Sequence, residues 1–304
     1  MSRAVRFTQF GGPEVLEVVD VDEPHAGGGQ VRIAVRAAGL NRYDSKVRRG
    51  VYSELALPRG QGSEFAGIID EIDGEIDGEV TGFSHGDEVL GWAPGCQAEF
   101  VVARSTSVAL KPADLDWATA GGIGLVGNTA RRATESLSLT SNDTVLVSGV
   151  AGGVGLLSAQ FARRAGATVI GTAAITHHAF LRDLGILPVE YGPGLIDRLR
   201  VAAPAGITAV LDNVGRKTIE TAIALGVPPV RINSVAYDHP EEFGITSVAG
   251  GGKTSAELSE LASLAASGQL VLPVLATFPL AEVRAAYELL DTGHGLGKIV
   301  LTVR

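Results

Sequence analysis

Apolar and polar residues alternate along the N-terminal part of the chain. Val31, Ile33 and Val35 are interleaved with Arg32, Ala34 and Arg36, the two-residue period of a half-buried strand. Glu64 to Ile72, Glu88 to Gly91 and Ala98 to Ala103 predict further strands, separated by Gly, Asp and Ser turns. A Glu-Ile-Asp-Gly echo within residues 70–79 reads as a turn with charged flanks and not as a structural repeat. The rhythm changes after Pro112. Apolar runs near Val145, at Thr168 to Gly171, near Val189, at Ala209 to Leu211 and at Val230 to Val235 predict strands. Between them, helical patterns begin at Val154, His177, Leu195 and Lys217. Such alternation implies a parallel sheet covered by helices. Ser255 opens a helix with Leu258, Leu261 and Leu264 as its apolar stripe and Gly268 as its stop. An amphipathic helix at Leu280 to Leu290 then lies between two strands.

One junction in the second region carries chemistry. Residues 148–155 read Ser-Gly-Val-Ala-Gly-Gly-Val-Gly, after the strand Thr144 to Val147 and before a helix with Val154, Leu157 and Phe161 on one face. Strand, glycine turn and helix together form a Rossmann-type holder for a dinucleotide pyrophosphate. Gly149 permits the tight turn, Gly152 and Gly153 let the backbone approach phosphates, and Gly155 lets helix and strand pack closely. The unpaired N–H groups at the helix start face the negative charge. The same glycines could also make a turn that holds no ligand.

Composition narrows the field. At 304 residues, with 45% hydrophobic and 19% charged residues, the chain suits two domains or one large one. The net charge of −9 argues against a general nucleic-acid or anionic-membrane surface. The opening residues hold no apolar run of signal-peptide length, and no uninterrupted apolar stretch is long enough to span a bilayer, so a cytoplasmic protein is expected. Cys96 is the single cysteine, which rules out an intrachain disulfide and any multi-cysteine metal site.

Several short motifs share one order: Gly11-Gly12-Pro13-Glu14-Val15-Leu16, Ala38-Gly39-Leu40-Asn41, Gly62-Ser63-Glu64-Phe65-Ala66-Gly67 and Gly86-Asp87-Glu88-Val89. The glycine turn, Asp212-Asn213-Val214-Gly215 and Gly297-Lys298-Ile299-Val300-Leu301 complete the series. In this the chain resembles the zinc-free quinone oxidoreductase (zeta-crystallin-like) group of the medium-chain dehydrogenase/reductase superfamily. The resemblance implies an α/β protein: a GroES-like β-rich catalytic domain plus a Rossmann doubly wound parallel-sheet nucleotide-binding domain. The expected division gives the catalytic domain residues 1–118, completed by 266–304, and the NADPH-binding domain residues 119–265. A homodimer is implied as well, paired through the strand at Val230 to Val235.

Departures from the zinc-dependent relatives point to the reaction. Those relatives place a cysteine and a histidine where this chain has Asn41 and Ser63, and they carry a four-cysteine lobe. The histidines at 25, 85, 177, 178, 239 and 294 show no zinc-ligand spacing with Cys96. Zinc polarises a carbonyl and steadies the alkoxide. Without it, the substrate must bring its own electron sink, as quinones and conjugated enones or enals do, and a few hydrogen-bond donors then suffice. Asn41 matches a cleft asparagine of the family and Tyr52 a cleft tyrosine; either could bond the substrate oxygen. Asn41 could instead bond its own backbone at a turn, and Tyr52 could be a half-buried ring with a wet hydroxyl. Lys46 stands where close relatives carry a tyrosine. It could stabilise an enolate, although a solvated charge beside Arg48 and Arg49 is the simpler reading.

The cofactor is expected to be NADPH. An NAD site has an acid about 20 residues beyond the glycine motif. Here Thr172, Ala173 and Ala174 follow the strand, and no acid comes before Asp183. His177, His178 and Tyr191 are the candidates beside a 2′-phosphate, His178 aligning with a lysine of some relatives. Thr129 matches a threonine near the nicotinamide, or is a hydroxyl at a helix start. The other expected contacts are Gly149, Ala151, Gly152, Gly153, Val154 and Gly155 of the turn, then Asn213, Val214 and Lys298. The leading expectation is an NADPH-dependent reductase of quinones or activated alkenes. The alternatives are an enoyl-thioester reductase of the same superfamily and a cofactor-binding protein with little catalysis, crystallin-like or RNA-binding. The loop from Tyr237 to Gly252 is expected to line the substrate cleft.

Overall fold

The computed structural model describes residues 1–52, 54–72, 82–248 and 254–303. In chain order the N-terminal elements are strands Ser2–Phe7 (β1), Glu17–Val21 (β2) and Gln30–Gly39 (β3), and helix Arg42–Arg48 (α1). Strands Arg59–Gly60 (β4), Phe65–Ile72 (β5), Glu88–Gly91 (β6), Phe100–Arg104 (β7) and Val108–Leu110 (β8) precede helix Trp117–Glu135 (α2). Then β9 (Thr144–Val147), α3 (Gly153–Arg164), β10 (Thr168–Thr172), α4 (His178–Asp183), β11 (Leu187–Val189), α5 (Leu195–Ala202), β12 (Ala209–Asp212), α6 (Arg216–Ala224) and β13 (Ile232–Ser234) alternate. The chain closes with α7 (Ser255–Ala266), β14 (Val274–Pro279), α8 (Val283–Thr292) and β15 (Lys298–Thr302). Most of the echo at residues 70–79 and the end of the 237–252 loop lie outside the described residues.

The chain divides into two units, Met1–Leu125 with Lys253–Arg304, and Val126–Gly252. In the first, β14-β15-β3-β5-β6-β8 form one sheet with β7 also paired to β3, and β2-β1-β4 form a small second sheet. The alternation at 31–36 is realised in β3: Val31, Ile33 and Val35 are fully buried. On its other face Arg32 forks onto Asp70 of β5, with both bonds at 3.0 Å. The C-terminal strand returns to this sheet, β15 running antiparallel to β3 with Val300 opposite Gly39. That pairing brings Lys298 to Leu40 and Asn41. α7 begins where the sequence places it, with Thr254 and Glu257 exchanging bonds in a capping box.

The second unit is a five-stranded parallel sheet in the order β11-β10-β9-β12-β13. β9 is central, and the strand order reverses there, which is where doubly wound sheets bind ligands beyond their carboxyl ends. Two expectations change. The strand anticipated at Val230 to Val235 shrinks to Ile232–Ser234, because Pro229–Arg231 form a 3₁₀ turn. Its open side is also bonded, through Ser234 N–H to Thr246 O at 3.0 Å and Thr246 N–H to Ile232 O at 3.0 Å. The edge offered for pairing is therefore already capped by the chain itself. Likewise, the helix anticipated from His177 begins with a 3₁₀ turn at Ile175–His177 before α4.

Candidate active site

In the second unit the expected cofactor residues converge on the carboxyl ends of the parallel strands. Gly149 has φ +57°, the left-handed region glycine tolerates best. A Cβ at Gly155 would meet the Gly149 carbonyl oxygen at 2.4 Å, so only glycine lets α3 close down on the turn. The first intrahelical bond of α3 runs from Leu156 N–H to Gly152 O at 2.8 Å. The N–H groups of Gly153, Val154 and Gly155 therefore have no acceptor within the helix and point out of its positive end. Ala151 sits half-buried in the turn between them and β9. Thr172, at the end of β10, accepts the Gly149 N–H on its Oγ1 at 3.2 Å. On the other side Asn213 donates from Nδ2 to Ser148 O at 3.0 Å. Val214 is 60% exposed, and its Cγ2 would lie 3.3 Å from a Cβ at Gly149.

Asp212 ties these ends together, a role the sequence did not assign to it. It is fully buried, and Oδ1 accepts from Ser148 Oγ at 2.7 Å and Val214 N–H at 3.0 Å, while Oδ2 accepts from Ser234 Oγ at 2.6 Å. Its place in Asp-Asn-Val-Gly, straight after an apolar run, was the available signal.

At the end of β10, Ala173 bonds Val189 O of β11 through its N–H at 3.1 Å, so the Ala173-Ala174 and Glu190-Tyr191 segments emerge side by side. Tyr191 is 49% exposed. Arg198 of α5 staples its loop, donating to the carbonyls of Glu190 at 2.9 Å and Pro193 at 2.8 Å. His178 commits Nε2–H to the Ala173 carbonyl at 3.2 Å, which leaves only Nδ1 for any other partner. His177 is half-buried at the preceding turn. Thr129 lies well inside α2, which begins at Trp117, and is therefore no helix-start hydroxyl.

The first unit holds a buried polar cluster built on the β15–β3 pairing. Lys298 is 4% exposed and Glu64 1%. The Lys298 ammonium donates to Leu40 O at 2.6 Å, Asn41 Oδ1 at 2.7 Å and Glu64 Oε1 at 2.9 Å. Its three protons are thus taken. Lys298, expected among the cofactor contacts, stands at the heart of the cluster around Asn41. Asn41 donates one Nδ2 proton to Glu64 Oε1 at 2.8 Å, and Glu64 Oε2 accepts the Leu125 N–H at 2.8 Å. Asn41 also precedes α1, and its N–H is bonded by Asp44 Oδ2 at 2.9 Å. The other Asp44 oxygen accepts from Ser63 Oγ–H at 2.7 Å. Asp44 is buried, and burial pushes its carboxyl up to about 6, against the lowering pull of the Ser63 bond and Lys298. Asp44 was not singled out from the sequence, although Asn41 and Asp44 stand at capping-box spacing.

The remaining expected residues lie on or just after α1. Tyr52 is half-buried, its ring tilted 40° against Tyr43 at 5.7 Å. Lys46 is half-buried on α1. Among the described residues no group of three or more His, Cys, Asp or Glu side chains could hold a metal ion. Cys96 is a packed thiol that donates to Glu64 O at 3.0 Å.

This architecture matches known families. The Alcohol dehydrogenase GroES-like domain model covers residues 27–134, and the Zinc-binding dehydrogenase model covers residues 189–301. The quinone oxidoreductase of Mus musculus is 30% identical, over 98% of this chain and 96% of its own length. The chain belongs to the quinone oxidoreductase group of the medium-chain dehydrogenase/reductase superfamily. The solved quinone oxidoreductase of Coxiella burnetii is 31% identical with a TM-score of 0.88, covering 100% of this chain and 99% of that one. A mycobacterial protein, Rv1454c, solved in complex with NADPH, is 28% identical with a TM-score of 0.88, covering 99% of this chain and all of that one. The chain also aligns over 98% of its length with NorB, a spectinabilin polyketide synthase system protein of Streptomyces orinoci, at 29% identity. It spans 14% of that protein. No described helix is long and apolar enough to cross a membrane.

Proposed function

We propose that this quinone oxidoreductase family member is an NADPH-dependent reductase that delivers hydride to quinones or to conjugated enones and enals, without zinc. The observation that carries the reading is the end of β10, where Thr172, Ala173 and Ala174 present no carboxylate beside the glycine turn. An acid there would bond a ribose 2′-OH and repel a 2′-phosphate. The donors fit a dinucleotide: the N–H groups at the start of α3 would hold the pyrophosphate, and Tyr191, His177 and the Nδ1 of His178 are the groups near a 2′-phosphate. The bound nicotinamide supplies the hydride. The NADPH complex of the mycobacterial relative supports the choice of cofactor.

The chain's own part is to bind and polarise. Asn41 keeps one Nδ2 proton beyond the bond to Glu64, and that proton can go to the substrate oxygen. The Lys298 ammonium on Asn41 Oδ1 polarises the amide and strengthens that donor. Lys298 also occupies the Oδ1 of Asn41, the side chain at the first zinc-ligand position of the zinc-dependent relatives, so that oxygen is already bonded to an ammonium. Tyr52 and Lys46 are the further candidates for the substrate oxygen. The second reading is an enoyl-thioester reductase of the same superfamily.

Steady-state oxidation of NADPH and NADH against a simple quinone, a short enone and an enoyl thioester tests both. The expected result is turnover of quinone or enone with NADPH after dialysis against a chelator. Preference for the thioester selects the second reading. Equal affinity for NADH, or loss of activity together with stoichiometric zinc, overturns the first. The family likeness further proposes a homodimer; a monomeric mass by light scattering at micromolar concentration overturns that.

A further inference from the structure

Reduction of a quinone or an enone needs a proton as well as a hydride, and the reading above does not assign one. The buried cluster of the first unit holds a group that the binding role leaves unused. Asp44 bridges two neighbours: its Oδ2 takes the Asn41 N–H at 2.9 Å, and its Oδ1 takes the Ser63 Oγ–H at 2.7 Å. Ser63 is therefore held within one carboxylate's width of Asn41, the residue proposed above to bond the substrate oxygen. Ser63 is half-buried while Asp44 is 2% exposed, and the Ser63 hydroxyl bonds that carboxyl directly.

From this geometry we infer that Ser63 is the proton donor to the reduced substrate and that Asp44, behind it, is the proton reservoir. The inference rests on the reductase reading. The balance is simple. The substrate accepts the hydride and is left as a quinol anion or an enolate. Its oxygen or carbon takes the Ser63 Oγ proton as the new O–H or C–H bond forms. With Asp44 protonated the bond recorded between Ser63 and Oδ1 reverses, Oδ1–H donating to Ser63 Oγ and freeing the hydroxyl proton for the substrate. Ser63 Oγ takes that carboxyl proton as it gives up its own, leaving a carboxylate that a solvent proton refills through Ser63. No oxidant or further reductant is consumed.

The charges around Asp44 suit a reservoir. Glu64 and Lys298 form a neutral pair, so a protonated Asp44 leaves the cluster uncharged and an ionised one leaves it at −1. The Cys96 thiol and the Tyr287 phenol also face this carboxyl, each held well above its usual range by burial, so both remain neutral beside it. Tyr43 is raised too, by burial and by Tyr52 and Asp44, and does not compete as an acid. The Asp44 carboxyl, raised to about 6, lies where a proton can be held and released near neutrality.

The test uses the intact enzyme with NADPH and a short enone in H₂O and D₂O. For wild type, kcat should fall as pH rises through about 6, with a solvent isotope effect and one deuteron delivered from D₂O to the α-carbon. Asp44→Asn should abolish that pH limb. Ser63→Ala should lower kcat by roughly 10²-fold with KM and NADPH Kd near wild type, and Ser63→Thr should recover most of it. Fluorescence titration with NADPH checks that each variant is folded and binding. A wild-type kcat that is flat around pH 6 and shows no solvent isotope effect overturns the relay without recourse to any variant. So does a Ser63→Ala enzyme of wild-type kcat. Wild type that binds NADPH but reduces neither quinone nor enone overturns the reductase reading itself, and the relay with it. Wild type that turns over while the variants behave as wild type overturns the relay alone.

Discussion

Lys298→Met isolates what the buried ammonium does. At 2.9 Å from Glu64 Oε1 the ion pair is worth about 6 kcal/mol of Coulomb attraction at an effective dielectric near 20, most of it offset by desolvation of both groups. Removing one partner is a different matter, because the Glu64 carboxylate is then buried without its cation. That costs about 3–5 kcal/mol. For a unit of this size each kcal/mol is worth about 2–4 °C, so the unfolding midpoint should drop by roughly 6–20 °C. Both tryptophans, Trp92 and Trp117, lie in the same unit as the cluster, so their fluorescence follows the relevant transition. Glu64→Gln should cost less, about 1–3 kcal/mol, since Lys298 keeps Leu40 O and Asn41 Oδ1. The double variant should be more stable than the sum of the singles predicts, by roughly 1–3 kcal/mol. If Lys298→Met unfolds within about 1 kcal/mol of wild type while NADPH Kd rises at least about tenfold, Lys298 is a cofactor ligand and the cluster argument fails.

Three further outcomes are expected. The Asp44 carboxyl is raised in the folded state from 3.8 to about 6, so the stability it contributes is complete below its unfolded value and is lost as pH rises through about 6. Urea unfolding should therefore show the wild type falling by about 2–3 kcal/mol relative to Asp44→Asn between pH 4 and pH 7; a constant difference refutes this. Gly155→Ala places a Cβ 2.4 Å from a backbone carbonyl, which must move the turn, and NADPH Kd should weaken at least about tenfold by fluorescence titration. An unchanged Kd would mean that the turn does not hold the cofactor. Ala174→Asp should lower the preference for NADPH over NADH at least about tenfold in direct binding of both cofactors, and equal ratios before and after would contradict the role assigned to the end of β10.

Local periodicity sufficed for most of the elements. β3, β5 and β6 and the strands and helices from β9 to α6 were legible because their signals, two-residue alternation and glycine turns, operate over a few neighbouring residues. The turn at Gly149–Gly155 was legible for the same reason: a positive φ and a close helix–strand approach admit little but glycine. α2 was hidden by its composition. Gly121, Gly122 and Gly124 are poor helix formers, and their reason is tertiary: a Cβ at Gly121 would lie 2.7 Å from Ala37 Cβ on β3. The length of β13 depended on the 3₁₀ turn before it and on Thr246 covering its side, a pairing that no local pattern announces.

The site divides along the same line. The glycine turn and the absence of an acid after β10 are properties of contiguous sequence, and the sequence determined them. The partner of each polar side chain is not. Lys298 meets Asn41 across 257 positions only because β15 pairs with β3, and that pairing makes a residue expected among the cofactor contacts the cation of a buried cluster. His178 turns its Nε2–H to the Ala173 carbonyl across the 3₁₀ turn that precedes α4. Asp44 acquires its raised proton affinity from burial, which the folded sheet imposes and the residue type alone does not. Sequence supplies the backbone conformations each segment can adopt; tertiary structure decides which charges lose their water, and with whom they are left.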